Sequence, residues 1–400
     1  MRTRNLLRRT FWSALAFGLL GPSALASTVV AWGESSRPAG SPPSMTANVP
    51  DGLIDAIAVA GATDVGFALR ANGSVVSWGN PLLPALRDVP PDLKDAADLC
   101  SGTRHVLALR RNGTTIGWGE DRYGKTEPPP LLNRVMAIAA SDSHSLALRR
   151  NGTVVAWGEY SSGQRTAVPD GLNDAVAIAS AANYSLALRR DGSVIAWGGV
   201  INPSNISATV KVPPGLSNVV AIAAAFFEVF ALRDDGTVVN WGSGVTPGPI
   251  PGITNLVAIA FAGQASSDLL GLAENGTLVR WPAGSQPAMP AGLSNVVAIG
   301  GIGVPSVALM RGPDEPLLTR HPESRIITAG TPVSFRVEAT AGQPLRYQWQ
   351  INGVELRGAT NDTLNIKAAW PGQAGHYRAV VSAAGLSVTS RAALLKVAAP

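Results

Sequence analysis

A segment of about 40 residues recurs seven times along the chain, and a period of that size restricts the fold to an array, a solenoid or a propeller. The stretch from Val135 to Gly158, VMAIAASDSHSLALRRNGTVVAWG, shows it most plainly. Its Trp-Gly ending returns at Trp32, Trp78, Trp118, Trp157, Trp197 and Trp241, with Trp281-Pro282 as a variant. The spacings are 46, 40, 39, 40, 44 and 40 residues. The apolar centre of its first element returns at Val59, Leu99, Ile138, Ile178, Ile222, Ile259 and Ile299.

Each copy reads as strands joined by a hairpin. Ser145 to Arg149 and Thr153 to Trp157 flank Asn151-Gly152. Equivalent pairs stand at Asn72-Gly73, Asn112-Gly113, Asp191-Gly192, Asp235-Gly236 and Asn275-Gly276. Asn-Gly and Asp-Gly supply the two positive-φ residues of a type I′ turn, so a two-residue loop is expected at each. The first element of each copy is rich in Ala and Gly, as in Ala137-Ile138-Ala139-Ala140. Strands converging on an axis have room only for small side chains. The later elements are apolar on both faces, with Val155 and Trp157 on one and Val154 and Ala156 on the other. Such strands lie between packed sheets. This favours a propeller over a solenoid.

The ends of the repeat region point to closure. The first copy has only a second half, Thr28 to Gly33, and the last has only a first half, Val297 to Met310. Pairing the two completes a seventh blade and removes the exposed edges of an open array. The expected fold class is therefore all-β, a seven-bladed propeller followed by a second, smaller β-domain.

The pattern AIAASDSHSLALRRNGTVVAWG, followed by Gly163-Gln164 and Val168-Pro169, resembles the regulator of chromosome condensation repeat, in its short bacterial form. The resemblance implies a seven-bladed propeller used as a binding platform. The eukaryotic namesake promotes nucleotide exchange on a small nuclear GTPase and binds chromatin, and bacterial relatives include secreted inhibitors of β-lactamases. Function of that kind lives in loop side chains rather than in the fold.

After the Pro- and charge-rich run Arg311 to Ser324 come alternating strands: Val333 to Ala339, Tyr347 to Ile351, Thr363 to Lys367, Tyr377 to Ser382 and Ser387 to Val397. They resemble an immunoglobulin I-set domain. Trp349 takes the slot of the core Trp, and Gly375-His376-Tyr377 matches the tyrosine corner. The resemblance would place its two cysteines at Val337 and Ala379, so apolar packing must replace the bridge. Expected domains are 1–26 signal peptide, 27–312 propeller and 313–400 immunoglobulin-like domain.

The leader rests on Arg2, Arg4, Arg8 and Arg9, an apolar core from Phe11 to Gly21, and a small-x-small cleavage site ending at Ala26. Export, to the periplasm or the exterior, follows. Cleavage lowers the net charge from +5 to +1, which leaves no electrostatic footprint for nucleic acid. No later stretch reads as a membrane span. With Cys100 the single cysteine, no intramolecular disulfide forms.

No catalytic or metal-binding motif stands out, so neither enzymatic activity nor a cofactor is expected. His105 and His144 share one repeat position, where other copies carry Val65, Tyr184, Glu228 and Asp268, and read as loop–strand junction residues. Strand direction puts the loop before Leu-Ala-Leu and the loop after Trp-Gly on one face, and the Asn-Gly turns and Pro-x-Gly-Leu crossovers on the other. The turn face is uniform from copy to copy. The loop face varies, and on it lie Arg104, Tyr123, Tyr160, Tyr184, Phe226, Phe227, Glu228 and the long loop from Gly199 to Val210. Aromatic and charged side chains on variable loops of a rigid scaffold suit recognition. The expectation is a monomeric, exported binding protein that holds a protein or glycan partner. The alternative is a secreted propeller lyase or glycosidase acting at the channel mouth.

Overall fold

The structure is a computed structural model that describes residues 27–32, 48–158, 166–181, 184–198, 211–224, 228–242, 245–262, 268–282, 289–290, 293, 295–300, 306–312, 316–384 and 386–398. The leader therefore lies outside the described residues. The chain separates into two compact units, with the main boundary between Met310 and Arg311.

In the first unit the repeats fold into antiparallel sheets of three or four strands, here called blades. Blade 1 joins Ser27–Trp32 to the hairpin Val296–Gly300 and Ser306–Arg311, so the first described strand pairs with the last copy. Blade 2 is Ala56–Ala62, Val65–Arg70 and Val75–Gly79, and blade 3 is Ala96–Ser101, His105–Arg110 and Thr115–Gly119. Blade 4 is Val135–Ala140, Ser145–Arg149 and Val154–Trp157, and blade 5 is Ala175–Ser180, Tyr184–Arg189 and Val194–Gly198. Blade 6 has Val219–Ala224, Glu228–Arg233, Val238–Gly242 and a fourth strand, Val245–Pro249. Blade 7 is Leu256–Ala262, Asp268–Ala273 and Leu278–Trp281. The first strand of each of blades 2 to 7 touches that of the next, and Val296–Gly300 closes the circle by touching both blade 7 and blade 2.

Small residues line the axis where these inner strands meet. Ala60, Cys100, Ala139, Ala179, Ala223, Ala260 and Gly300 occupy one slot around it and border a cavity of about 90 Å³. Between blades the packing is apolar. Trp118 of blade 3 packs edge-on against Phe67 of blade 2, with ring centroids 6.1 Å apart. Trp281 of blade 7 meets Phe230 of blade 6 in the same way at 6.4 Å. The Trp-Gly tryptophans of blades 1 to 6 are all buried, and removing one such side chain from a core costs about 3–5 kcal/mol.

The hairpin turns are not type I′. Gly152 is left-handed at φ +84°, but Asn151 is not among the positive-φ residues, and the same holds in the other copies. Gly152 N–H donates to Arg149 O and Arg149 N–H to Thr153 O, both at 2.9 Å. This is a three-residue loop, a type I turn completed by a left-handed glycine. Asn151 keeps a right-handed backbone because its side chain has other work: its Oδ1 accepts both Thr153 N–H and Thr153 Oγ–H. Such an Asx turn needs no positive φ at the Asn. The same turns stitch the ring together. Gly152 O accepts Ala175 N–H of the next blade at 3.1 Å, and Gly73, Gly113, Gly192 and Gly236 do likewise.

The second unit is a β-sandwich. Arg325–Thr328, Ala393–Ala398, Gly375–Ala383, Arg346–Ile351 and Val354–Glu355 form one sheet in that order, with Leu386–Thr389 also paired to Gly375–Ala383. Val333–Arg336 pairs with Thr363–Ile366, and Leu317–Arg320 with Glu338–Thr340. Phe335 stacks on Tyr377 at 4.8 Å and packs against Trp349. Val337 and Ala379 are fully buried in this same core, so apolar contact fills their slots. Tyr377 Oη–H donates to Gln373 O at 2.7 Å, four residues upstream.

Candidate binding face

Strand register fixes which loops meet. His105 pairs with Gly119, and Tyr184 with Gly198, so the loop entering each second strand adjoins the loop leaving the third. Gly119 makes this approach possible. Its φ is +107°, and a Cβ there would lie 2.6 Å from Arg104 O. Glu120 N–H then donates to Arg104 O at 2.8 Å and locks the two loops together.

On blade 3 this lock carries an exposed polar and aromatic cluster. Arg104 Nη1 lies 3.3 Å from Glu120 Oε2, and Arg122 Nε lies 3.2 Å from Glu120 Oε1. Tyr123 sits on the 3₁₀ turn Arg122–Gly124 with φ +72° and is 45% exposed. Lys125 anchors the loop from below. Its Nζ donates to Asp142 O, while its own carbonyl accepts Ser145 Oγ–H and Trp157 Nε1–H of blade 4. Burial holds the Lys125 amine below its ordinary pKa, partly countered by Asp142 and Glu120. The cluster is thus exposed at its tips and hydrogen-bonded at its base. Exposed ion pairs are worth about 0–1 kcal/mol, so the two arginines exchange Glu120 for another acceptor at small cost.

The other candidates divide. Tyr184 is 3% exposed, and its hydroxyl donates to Glu228 O at 2.8 Å across the seam between blades 5 and 6. It is a seam residue, not an open contact: a phenol long enough to cross the seam satisfies itself there. Glu228 is half-buried at the head of its strand. Tyr160, Phe226, Phe227 and the loop 199–210 lie outside the described residues. The structure brings Arg104 and Tyr123 together on blade 3 and adds Glu120, Arg122 and Lys125, which sequence reasoning had passed over. The signal for Glu120 was its place directly after Trp118-Gly119.

Beneath the face, His105 and His144 are fully buried and bridge blades. His105 Nε2 meets Ser145 Oγ at 2.9 Å, and His144 Nε2 meets Ser185 Oγ at 2.8 Å. Burial, with Lys125 and His144 nearby, lowers the His105 pKa to about 3. On the channel wall, burial raises Asp98 to about 7 despite the Leu99 N–H that its Oδ1 accepts. Cys100, two residues on, is free and buried, and burial pushes its thiol up. Among the described residues no group of three or more His, Cys, Asp or Glu is placed to hold a metal ion. No helix of the described residues is long and apolar enough to cross a membrane.

Comparison with known proteins agrees with this geometry. The profile of the regulator of chromosome condensation (RCC1) repeat matches residues 136–164. A chain of the crystal structure of Kap60 bound to yeast RCC1 (Prp20) superposes with a TM-score of 0.50 at 18% identity, covering 64% of this chain and 80% of that one. Human WBSCR16 gives 0.52 at 17% identity, covering 64% and 86%. These likenesses show the fold. Cartilage intermediate layer protein 2 of Mus musculus is 36% identical over 90 residues, which is 22% of this chain and 8% of that protein.

Proposed function

We propose that this chain, a propeller of the regulator of chromosome condensation type, is an exported, non-enzymatic binding or scaffold protein whose loop face holds a protein or glycan partner. The observation that carries the reading is the contrast between the two faces. On the turn face, backbone groups are consumed in stitching one blade to the next through Gly73, Gly113, Gly152, Gly192 and Gly236. On the loop face, Arg104, Arg122 and Tyr123 stand out from a base that is hydrogen-bonded and buried. A solved structure with this fold is that of Kap60 bound to yeast RCC1 (Prp20), so a protein partner has a precedent in a protein that resembles this one.

The leader at 1–26 supports export, with cleavage after Ala26. The sandwich, with its buried Trp349 and its Tyr377–Gln373 hydrogen bond, is read as immunoglobulin-like, serving as a spacer or second contact. A lyase or glycosidase reading has less to stand on. Asp98 is the one acid in the seven inner strands, whereas glycoside hydrolysis ordinarily uses a pair of carboxyl groups.

The test is affinity capture from the envelope and medium of the native culture, using residues 27–400 and a variant carrying Arg104→Glu, Arg122→Glu and Tyr123→Ala. The wild type is expected to retain a partner that the variant loses, with thermal stability nearly unchanged because surface changes alter it by about 0.5 kcal/mol or less each. Equal capture by both would move the binding surface elsewhere.

A further inference from the structure

The sandwich has an open groove of about 600 Å³, lined among others by Tyr347, Thr360, Asn361, Asp362 and Asn365. It lies between Arg346–Ile351 of the large sheet and Thr363–Ile366 of the two-stranded one. Its backbone is fixed. Asn361 O accepts Trp349 Nε1–H and Asp362 O accepts Val337 N–H, each at 2.9 Å, while Asn365 pairs with Ser334 in the ladder. Several of its side-chain polar groups are left open. The Tyr347 hydroxyl, the Asn361 and Asn365 amides and the Asp362 carboxylate have no hydrogen-bond or ion-pair partner among the described residues. Tyr347 is half-buried against the core, which holds its ring in place, and the charge of Asp362 is close enough to raise the Tyr347 pKa beyond the effect of burial.

From this juxtaposition, a fixed aromatic ring beside one carboxylate and two amides of open valence, we infer that the sandwich groove binds a neutral pyranose polysaccharide. A carboxylate accepts from two neighbouring hydroxyls at once. A primary amide offers donors and an acceptor together, matching a hydroxyl, which is both. An aromatic face packs against the C–H face of a sugar ring. The exposure of Thr360, Asn361 and Asn365 leaves the groove open, which suits a chain more than a free monosaccharide. A cationic peptide would find only a single carboxylate here. The inference concerns the sandwich alone and does not depend on the propeller face.

The experiment is affinity electrophoresis of residues 27–400 in native gels containing hydroxyethylcellulose, galactomannan or dextran. Retardation is expected with at least one polymer and is expected to persist in 0.5 M NaCl, a concentration on the order of that at which charge pairing between exposed groups is screened within a few ångströms. Asp362→Asn and Tyr347→Ala should each weaken it by about tenfold or more, the loss of a good hydrogen-bonded or packed contact. Asn365→Ala, at an exposed position, tests the groove without touching the core. Trp370→Ala, which removes an exposed aromatic outside the groove, should leave retardation intact. No retardation in any gel, retardation indifferent to all three groove variants in folded protein, or binding abolished by salt would each overturn the inference.

Discussion

The His105 imidazole and the Ser145 hydroxyl, both fully buried, meet at 2.9 Å across the seam between blades 3 and 4. Their roles follow from a third group. Ser145 Oγ–H donates to Lys125 O, so His105 must donate from Nε2 and be the Nε2–H tautomer. No acceptor reaches Nδ1, so a proton added there would find no partner in a buried site. His144 and Ser185 repeat the contact one blade on.

This contact sets a pH dependence. His105 titrates at about 3 when folded and at 6.5 as a free side chain. Between these values the unfolded chain binds the proton and the native one does not, so native stability rises with pH. The contribution is complete above pH 6.5 and drains away as pH falls towards 3, at no more than about 1.4 kcal/mol per unit. Chemical denaturation of wild type and His105→Gln from pH 7.5 to pH 3.5 should show the wild type losing ground relative to the variant as pH falls. Parallel curves would mean that His105 is solvated.

Gly152 and Gly171 separate backbone strain from blade stitching. Both are left-handed, at φ +84° and +77°. A Cβ on Gly171 meets nothing within 4 Å, whereas on Gly152 it would lie 2.4 Å from Asn173 O of the adjoining crossover. Gly171→Ala should cost about 1–2 kcal/mol, the price of a left-handed alanine. Gly152→Ala should cost more, by about 1–3 kcal/mol, since it also forces the Gly152–Ala175 link apart. Equal losses would show that the turns do not join the blades.

Asp98 works in the opposite sense to His105. Ala58, Ala137, Ala177, Ala221, Ala258 and Ala298 hold its slot in the other inner strands. Burial in the inner strand of blade 3 raises its pKa from 3.8 to about 7, against the lowering effect of the Leu99 N–H. The folded state therefore keeps a proton that the unfolded chain gives up, and stability falls as pH rises from 3.8 to 7. Asp98→Ala should raise the melting temperature at pH 8 and change it much less at pH 4. A variant that is less stable at pH 8 would assign Asp98 a favourable partner when ionised.

The repeat made the blades legible because each copy spells its strands in the same order, and the half-copies at Thr28 and Met310 foretold the pairing of Ser27–Trp32 with the last hairpin. Asn151-Gly152 misled on turn type, since the dipeptide also suits a three-residue loop and only the side-chain hydrogen bonds of Asn151 decide between them. Tyr184 shows the limit at the site. An aromatic on a variable loop can face outward or span a seam, and the Glu228 carbonyl that captures its hydroxyl is 44 residues away in sequence. The pairing of His105 with Ser145 was likewise invisible, because the two stand 40 residues apart and meet only once adjacent blades pack.

The central claim, recognition on the loop face, is tested most directly by photo-crosslinking in the native culture. Tyr123, on the loop face, and Asp170, in an exposed crossover on the turn face, would each be replaced by p-benzoylphenylalanine in the exported protein. A light-dependent adduct of defined mass is expected at position 123 and none at position 170. An adduct at 170 with none at 123 would contradict the claim.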